Sequence, residues 1–181
     1  MTHSDGDTKV RTGPGTRQGR DSLALLRVYL NDHLSGSTTG VELARRVVAT
    51  QRHLEGGKEL EQIASEIAED RAHLLDIMEA LELPARRTKV YAGWAVEKLS
   101  RLKFNGRVIG RSPLSSVVEL EALRLGLEGK RSLWRILRRV AAHEERLDPE
   151  RIDWLLDRVD RQADTVDALR TARAMQVFAP G

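Results

Sequence analysis

At about 100° per residue, Ile63, Ile67, Leu74, Ile77 and Leu81 fall on one side of a helix, and Asp70 falls in the middle of that apolar stripe. Glu66 and His73 flank it, one turn to either side. An isolated charge buried among such neighbours costs too much to keep, so Asp70 must be paired, bound to a metal or protonated. The chain therefore has to be helical here, and its fold has to answer that carboxylate.

The same period recurs along the chain. From Ser22 to about Leu54, residues Leu26, Tyr29, Leu30, Gly40, Val41, Ala44, Val47 and Val48 hold one face, with His33 on the same side. The small run Ser35 to Gly40 leaves that phase unbroken. It predicts a continuous helix whose small residues let a neighbour come close, with a break as the alternative. Gly56-Gly57 closes a helical hairpin, and a second helix runs from about Lys58 to Leu83, where Pro84 stops it. Ser112-Pro113 opens a third helix that reaches about Arg146, its expected core face being Leu114, Val118, Ala122, Leu125, Gly129, Leu133, Ile136 and Val140. Asp148-Pro149 opens a fourth, to about Phe178, with Ile152, Leu156, Val159, Ala163, Val166, Ala174 and Val177 inside.

Composition agrees with four helices. Charged residues make up 31% of the chain and aromatic residues 4%, a balance that favours helical packing over a β-sandwich. A length of 181 residues suits one domain. Residues 1–20, rich in glycine and poor in hydrophobic residues, are expected to be a disordered tail. The bundle should cover 21–178, with a crossover over 84–112 and a short C-terminal end at 179–181. No apolar run reaches the roughly 18 residues of a membrane span, and the N-terminus lacks the apolar core of a secretory signal. Zero cysteines exclude disulfides, thiolate metal sites and cysteine nucleophiles. The expected compartment is the cytoplasm of a bacterium-like cell, with peripheral membrane contact open through the crossover.

That crossover carries most of the charge asymmetry. Eight basic residues and a single acid, Glu97, lie between Pro84 and Ser112, so the segment carries +7 and the rest of the chain −4. In a helix from about Thr88 to Lys103, Tyr91, Ala95, Leu99 and Leu102 share one face, and Trp94 lies opposite them with Lys98 and Arg101. Together with Lys89, Lys103 and Arg107 these residues suit an anionic membrane surface or a nucleic acid. The alternative is a helix packed on the bundle with its cations in water. The acidic stripe Asp153, Asp157, Asp160, Asp164 and Asp167 could receive that charge or stand as a solvated ridge.

Four long helices with short first and last turns and a long middle connection resemble the ferritin-like superfamily over residues 22–178. Its metal-binding members place a Glu on each of two helices and Glu-x-x-His on the other two, and Asp70-Arg71-Ala72-His73 is similar to one such motif with Asp in place of Glu. The resemblance implies an iron or manganese site, for which Glu66, Asp70 and His73 are the candidates. Counting outward from the turns sets Asp70 level with Gly40 to Ala44, Gly126 to Gly129 and Asp167 to Arg170. Glycine and alanine stand where further ligands would be, and the fourth helix has no histidine. Arg170, on the inner stripe at that level, is the expected counter-ion, making a buried Asp70–Arg170 pair.

These features predict an all-α, ferritin-like four-helix bundle with a helix-containing crossover between the second and third helices. No Ser/His/Asp arrangement, phosphate loop or nucleotide fingerprint is present, and no catalytic residue is assigned. Two function classes stay open: a non-enzymatic binding or scaffold protein, with homodimerisation open and the basic crossover as contact surface, needing no cofactor; or a metal-dependent oxidoreductase or metal-storage protein with an atypical site around Asp70 and His73.

Overall fold

The computed structural model describes residues 14–85 and 112–179, with side chains described from residue 21 onward within those limits. It is all-α. Helix α1 spans Pro14–Gln51, α2 Gly57–Ala80, α3 Pro113–Val140 and α4 Pro149–Phe178. The crossover residues Lys89, Trp94, Lys98, Arg101, Lys103 and Arg107 lie outside the described residues, as do residues 1–13.

Helix α1 begins at Pro14, inside the stretch expected to be a tail without fold. Proline is well suited to a first helical position, where its missing N–H would go unused. Once a long helix is nucleated by its packed part, each added residue gains a hydrogen bond for little further ordering. The run from Ser35 to Gly40 is helical throughout, as the unbroken phase predicts. Ser35, Ser37 and Thr38 turn their hydroxyls back onto carbonyls of the preceding turn, at Asn31 and Leu34, which satisfies the hydroxyls inside the helix.

The helices form a ring in which α1 touches α2 and α3, and α4 touches α3 and α2. Neighbours run antiparallel. Thr50 and Gln51, at the end of α1, reach Glu119 and Ser116 near the start of α3. Near the end of α2, Asp76 meets Arg151 at the start of α4. Helices α2 and α3 therefore point the same way across the diagonal.

Leucine dominates the shared core, which also buries Trp134 and Met78. The buried stripe of α3 is Val117, Leu120, Leu123, Leu127, Leu133, Trp134 and Leu137, of which Leu133 is on the expected face. Leu125 and Ile136, expected inside, are 74% and 44% exposed. The true face is turned by about one residue from the expected one, roughly 100°. Helix α3 carries leucines on two faces, so its period alone is ambiguous, and seating the large Trp134 ring decides the rotation. The α4 stripe stands close to expectation, with Ile152, Val159, Ala163 and Val166 buried.

Polar caps close the ends. Asp148 accepts hydrogen bonds from the backbone N–H groups of Glu150 and Arg151, capping α4. Arg173 donates to the Glu55 carbonyl in the first turn, and Arg146 to the Leu81 carbonyl after α2. Gly56 takes φ 77°, and a Cβ there would run into a Leu169 methyl. Both the left-handed backbone and the missing side chain are needed. Gly56→Ala is expected to lower stability by about 1–3 kcal/mol in urea unfolding, an effect that Gly36→Ala, in open space, should not share.

Candidate functional site: a buried ion-pair layer beside a glycine-edged cavity

Asp70 is 3% exposed, in the middle of α2 as its position in the stripe predicts. Its Oδ2 accepts from Lys130 Nζ on α3 and, at 3.4 Å, from Gln162 Nε2 on α4. Its Oδ1 faces Arg158 Nη1 of α4 at 3.4 Å, a charge contact without hydrogen-bond geometry. Lys130 also donates to Gln162 Oε1 at 2.6 Å. Gln162 in turn donates to Glu66 at 2.8 Å, and Arg158 reaches both Glu66 and Glu69. Three helices are thus joined in one connected polar layer at mid-height.

The Asp70–Arg170 pair expected from the sequence does not form. Arg170 is 31% exposed and bonds Asp167 and Glu121 at the surface. The partners of Asp70 are Lys130 and Arg158, about three turns nearer the α3–α4 turn. Counting outward from the observed turn, at 141–148, takes Lys130 to the level of Arg158. The earlier end of α3, at Val140, sets this level, and the rotation of α3 turns Lys130 and not Gly129 towards Asp70.

Burial works against the Lys130 ammonium and holds its pKa below the ordinary lysine value, while Asp70 opposes that effect. For Glu66, burial alone would raise the carboxyl. Hydrogen bonds from Gln162 and Gln62 and the Arg158 charge outweigh it and hold the pKa below the ordinary value. His73 turns towards α4, where Nδ1 meets Arg151 Nη2 and the ring stands edge-on to Trp154 at 5.6 Å. Arg158 lies 4.8 Å over the same Trp154 ring. Glu66, Asp70 and His73, the candidate metal ligands, are each engaged with a cation or a cationic neighbour. Among the described residues, no group of three or more His, Asp or Glu side chains is arranged to hold a metal ion.

On the opposite side of the layer, between α1, α2 and α3, lies a cavity of about 250 Å³. Asp70 and Lys130 close one part of it, and Leu43, Ile67, Leu74, Leu123, Leu127 and Leu133 supply apolar wall. Gly36, Gly40, Gly126 and Gly129 edge it. No neighbour comes within 4 Å of where their Cβ atoms would be. At Gly36 and Gly40 themselves no neighbour occupies the space that the missing side chain leaves. His33 lines the cavity and stands edge-on to Tyr29 at 4.5 Å, with burial holding its pKa below the ordinary imidazole value. Trp134, 1% exposed, also lines the cavity, and its indole N–H has no hydrogen-bond partner.

The acidic stripe of α4 pairs in part with arginines of the bundle itself: Asp153 with Arg138, Asp160 with Arg131, and Asp167 with Arg170. All are exposed pairs of small energetic weight. The described part of the chain contains no helix long and apolar enough to cross a membrane. Comparison with protein-family models, with curated proteins and with solved structures returns no match in any of the three.

Asp70→Asn leaves Lys130 and Arg158 buried without their shared counter-charge and is expected to cost about 3 kcal/mol in chemical unfolding, whereas Arg170→Ala should change stability by less than about 1 kcal/mol. A pH effect follows from the histidines. Burial and the Arg151 charge hold the folded His73 pKa below its ordinary 6.5, and burial does the same for His33. Protonation therefore favours the unfolded chain. Stability should be full above about pH 6.5 and should decline as pH falls from there towards the lower folded values. Urea midpoints at neutral and mildly acidic pH would register the decline, and His73→Gln should make it shallower.

Proposed function

We propose that this chain is a non-enzymatic helical binding or scaffold protein of ferritin-like architecture, in which an ion-pair layer occupies the level where metal-binding members of that superfamily keep their metal. What carries the proposal is the placement of Asp70 between Lys130 and Arg158. A carboxylate held by two cations in a low-dielectric interior is strongly committed to them. The antiparallel neighbours and the parallel α2–α3 diagonal support the ferritin-like reading, since parallel helices need a connection that travels back along the bundle.

An iron or manganese centre does not fit these residues. Lys130 and Arg158 would repel a dication at Asp70 and Glu66, and the facing positions of α1 and α3 are glycines without donor atoms. The role of the layer is to fix which helix faces meet and at what depth.

The crossover, with its charge of +7, is the proposed contact surface for an anionic membrane or a nucleic acid. Elemental analysis of protein purified without chelators should give no stoichiometric metal. A stoichiometric metal that Asp70→Asn abolishes would overturn the structural role of the layer. The contact surface predicts retention on anionic vesicles or nucleic acid at low salt, weakened by added salt and by Lys98→Glu with Arg101→Glu. Absence of retention at low salt would remove it.

A further inference from the structure

Helix α3 has two apolar faces, and the described residues cover only one of them. Leu120, Leu123, Leu127 and Leu137 enter the core. Ala122, Leu125, Gly129, Ile136 and Val140 recur at spacings of three, four and seven residues on a second face, where Leu125 is 74% and Ile136 44% exposed. Across the groove between the two helices, α1 repeats the pattern with Leu25, Tyr29, Gly36, Gly40 and Leu43, and Leu25 is 72% exposed. A helix that is apolar on two sides is suited to a neighbour on each.

The chain between Ala85 and Ser112 starts and ends beside this groove. Asn31 Nδ2 of α1 donates to the Pro84 carbonyl at 3.3 Å, so the chain leaves α2 against α1 and not against α4. Val28 and Leu25 precede Asn31 by three and six residues, and each step of three turns about 60° round the helix. These two exposed side chains thus lead from the exit round α1 to the foot of the groove. Ser112 opens α3 at the other end of the bundle, where Gln51 reaches Ser116. From Asn31 to the level of Ser112 is about 36 Å, and residues 86–111 would cover about 39 Å even as one continuous helix. The segment has to travel the length of the bundle and is long enough to do so. On the side of α4 it would meet the charged bridge of Arg158, Glu66 and Glu69, with Arg151 and Asp76 beyond. On the side of α1 and α3 it would meet glycine and leucine.

The segment carries the matching surface. From Thr88 to Lys103, Tyr91, Ala95, Leu99 and Leu102 share one face of a helix about 24 Å long, against about 27 Å of groove from Leu25 to Leu43. We propose that the α1–α3 groove is the docking site of the chain's own crossover, with Tyr91, Ala95, Leu99 and Leu102 laid over the glycines and Leu25, Leu125 and Ile136 along the rims. Glycine on both walls lets a third backbone come close, and burial of apolar surface on both partners supplies the attraction. Running from Asn31 towards Gln51, the helix brings Tyr91 level with Ile136 and Leu99 level with Leu125. Docking fixes the basic segment along one side of the bundle, whether or not an anionic partner binds it.

The chain has no cysteine, so introduced pairs are unique. Treated with a short bis-maleimide at low protein concentration, the full chain carrying Leu99→Cys with Leu125→Cys should cross-link within one copy, as should Tyr91→Cys with Ile136→Cys. Leu99→Cys with Arg161→Cys, on the exposed face of α4, should not. Leu99→Asp with Leu102→Asp should speed thiol labelling of Leu125→Cys about tenfold and lower the urea midpoint, whereas Gly93→Asp with Ser100→Asp, on the opposite face, should do neither. Absence of a cross-link in both groove pairs would overturn the proposal, as would equal cross-linking to α4. Cross-links formed only between two copies would overturn it as well, by giving the groove to a second chain, and so would labelling that the two aspartates leave unchanged. If the aspartate variant fails to fold, the cysteine pairs, which add no charge, still decide. None of these measurements contains a lipid or a nucleic acid, so their outcome is separate from that of the retention experiment.

Discussion

Asp70 sits where three helices meet, and the layout of the bundle follows from how its charge is met. Removing a carboxylate from water costs several kcal/mol even after relaxation, so it stays charged only with close cations and further hydrogen bonds. Lys130 comes from α3, Arg158 and Gln162 from α4, and each can reach only if its helix presents that residue at that depth. A slip of α4 by one turn would carry Arg158 and Gln162 away from Asp70 and Lys130. A layer of this kind adds little net stability over an apolar one, yet it penalises wrong registers heavily.

The layer also accounts for the uneven packing of the ring. Helices α2 and α4 touch least among the neighbouring pairs. Their gap is bridged by the long side chains of Arg158, Gln162, Glu66 and Glu69, with Arg151 meeting His73 and Asp76 further along. Helices α1 and α3 face each other with glycines at the same height, and space is left between them. One side of the Asp70 layer is thus filled with polar atoms and the other is open and apolar. Lys130 belongs to both sides, bonded to Asp70 and Gln162 while lining the cavity.

Much of this was legible in the residues. The stripe around Asp70 identified a buried carboxylate, and the hairpin count from Gly56 set it beside Gly40, which lines the same cavity. Arg170 lies at the wrong depth because α3 ends at Val140, short of the expected Arg146, which brings Arg158 and not Arg170 level with Asp70. With α3 turned by about one residue, Lys130 and not Gly129 faces Asp70. Arginines 158, 170 and 173 all lie near the α4 stripe, and periodicity does not rank them. The same rotation brings Trp134 into the core. Its size was the usable signal, since a tryptophan next to a leucine-rich face is more costly to expose than the leucines around it.

What the sequence determined by itself was local: helical period, the glycine pair that breaks the chain at the first turn, proline and aspartate at the helix starts, and a carboxylate that had to be buried. These depend on backbone sterics and on residues within a turn or two of one another. Tertiary structure decided the rotation of α3, the identity of the cations at Asp70 and the existence of a cavity. Each depends on how four surfaces fill a shared volume, and a leucine-rich helix can offer more than one face until a large side chain and a charge select between them.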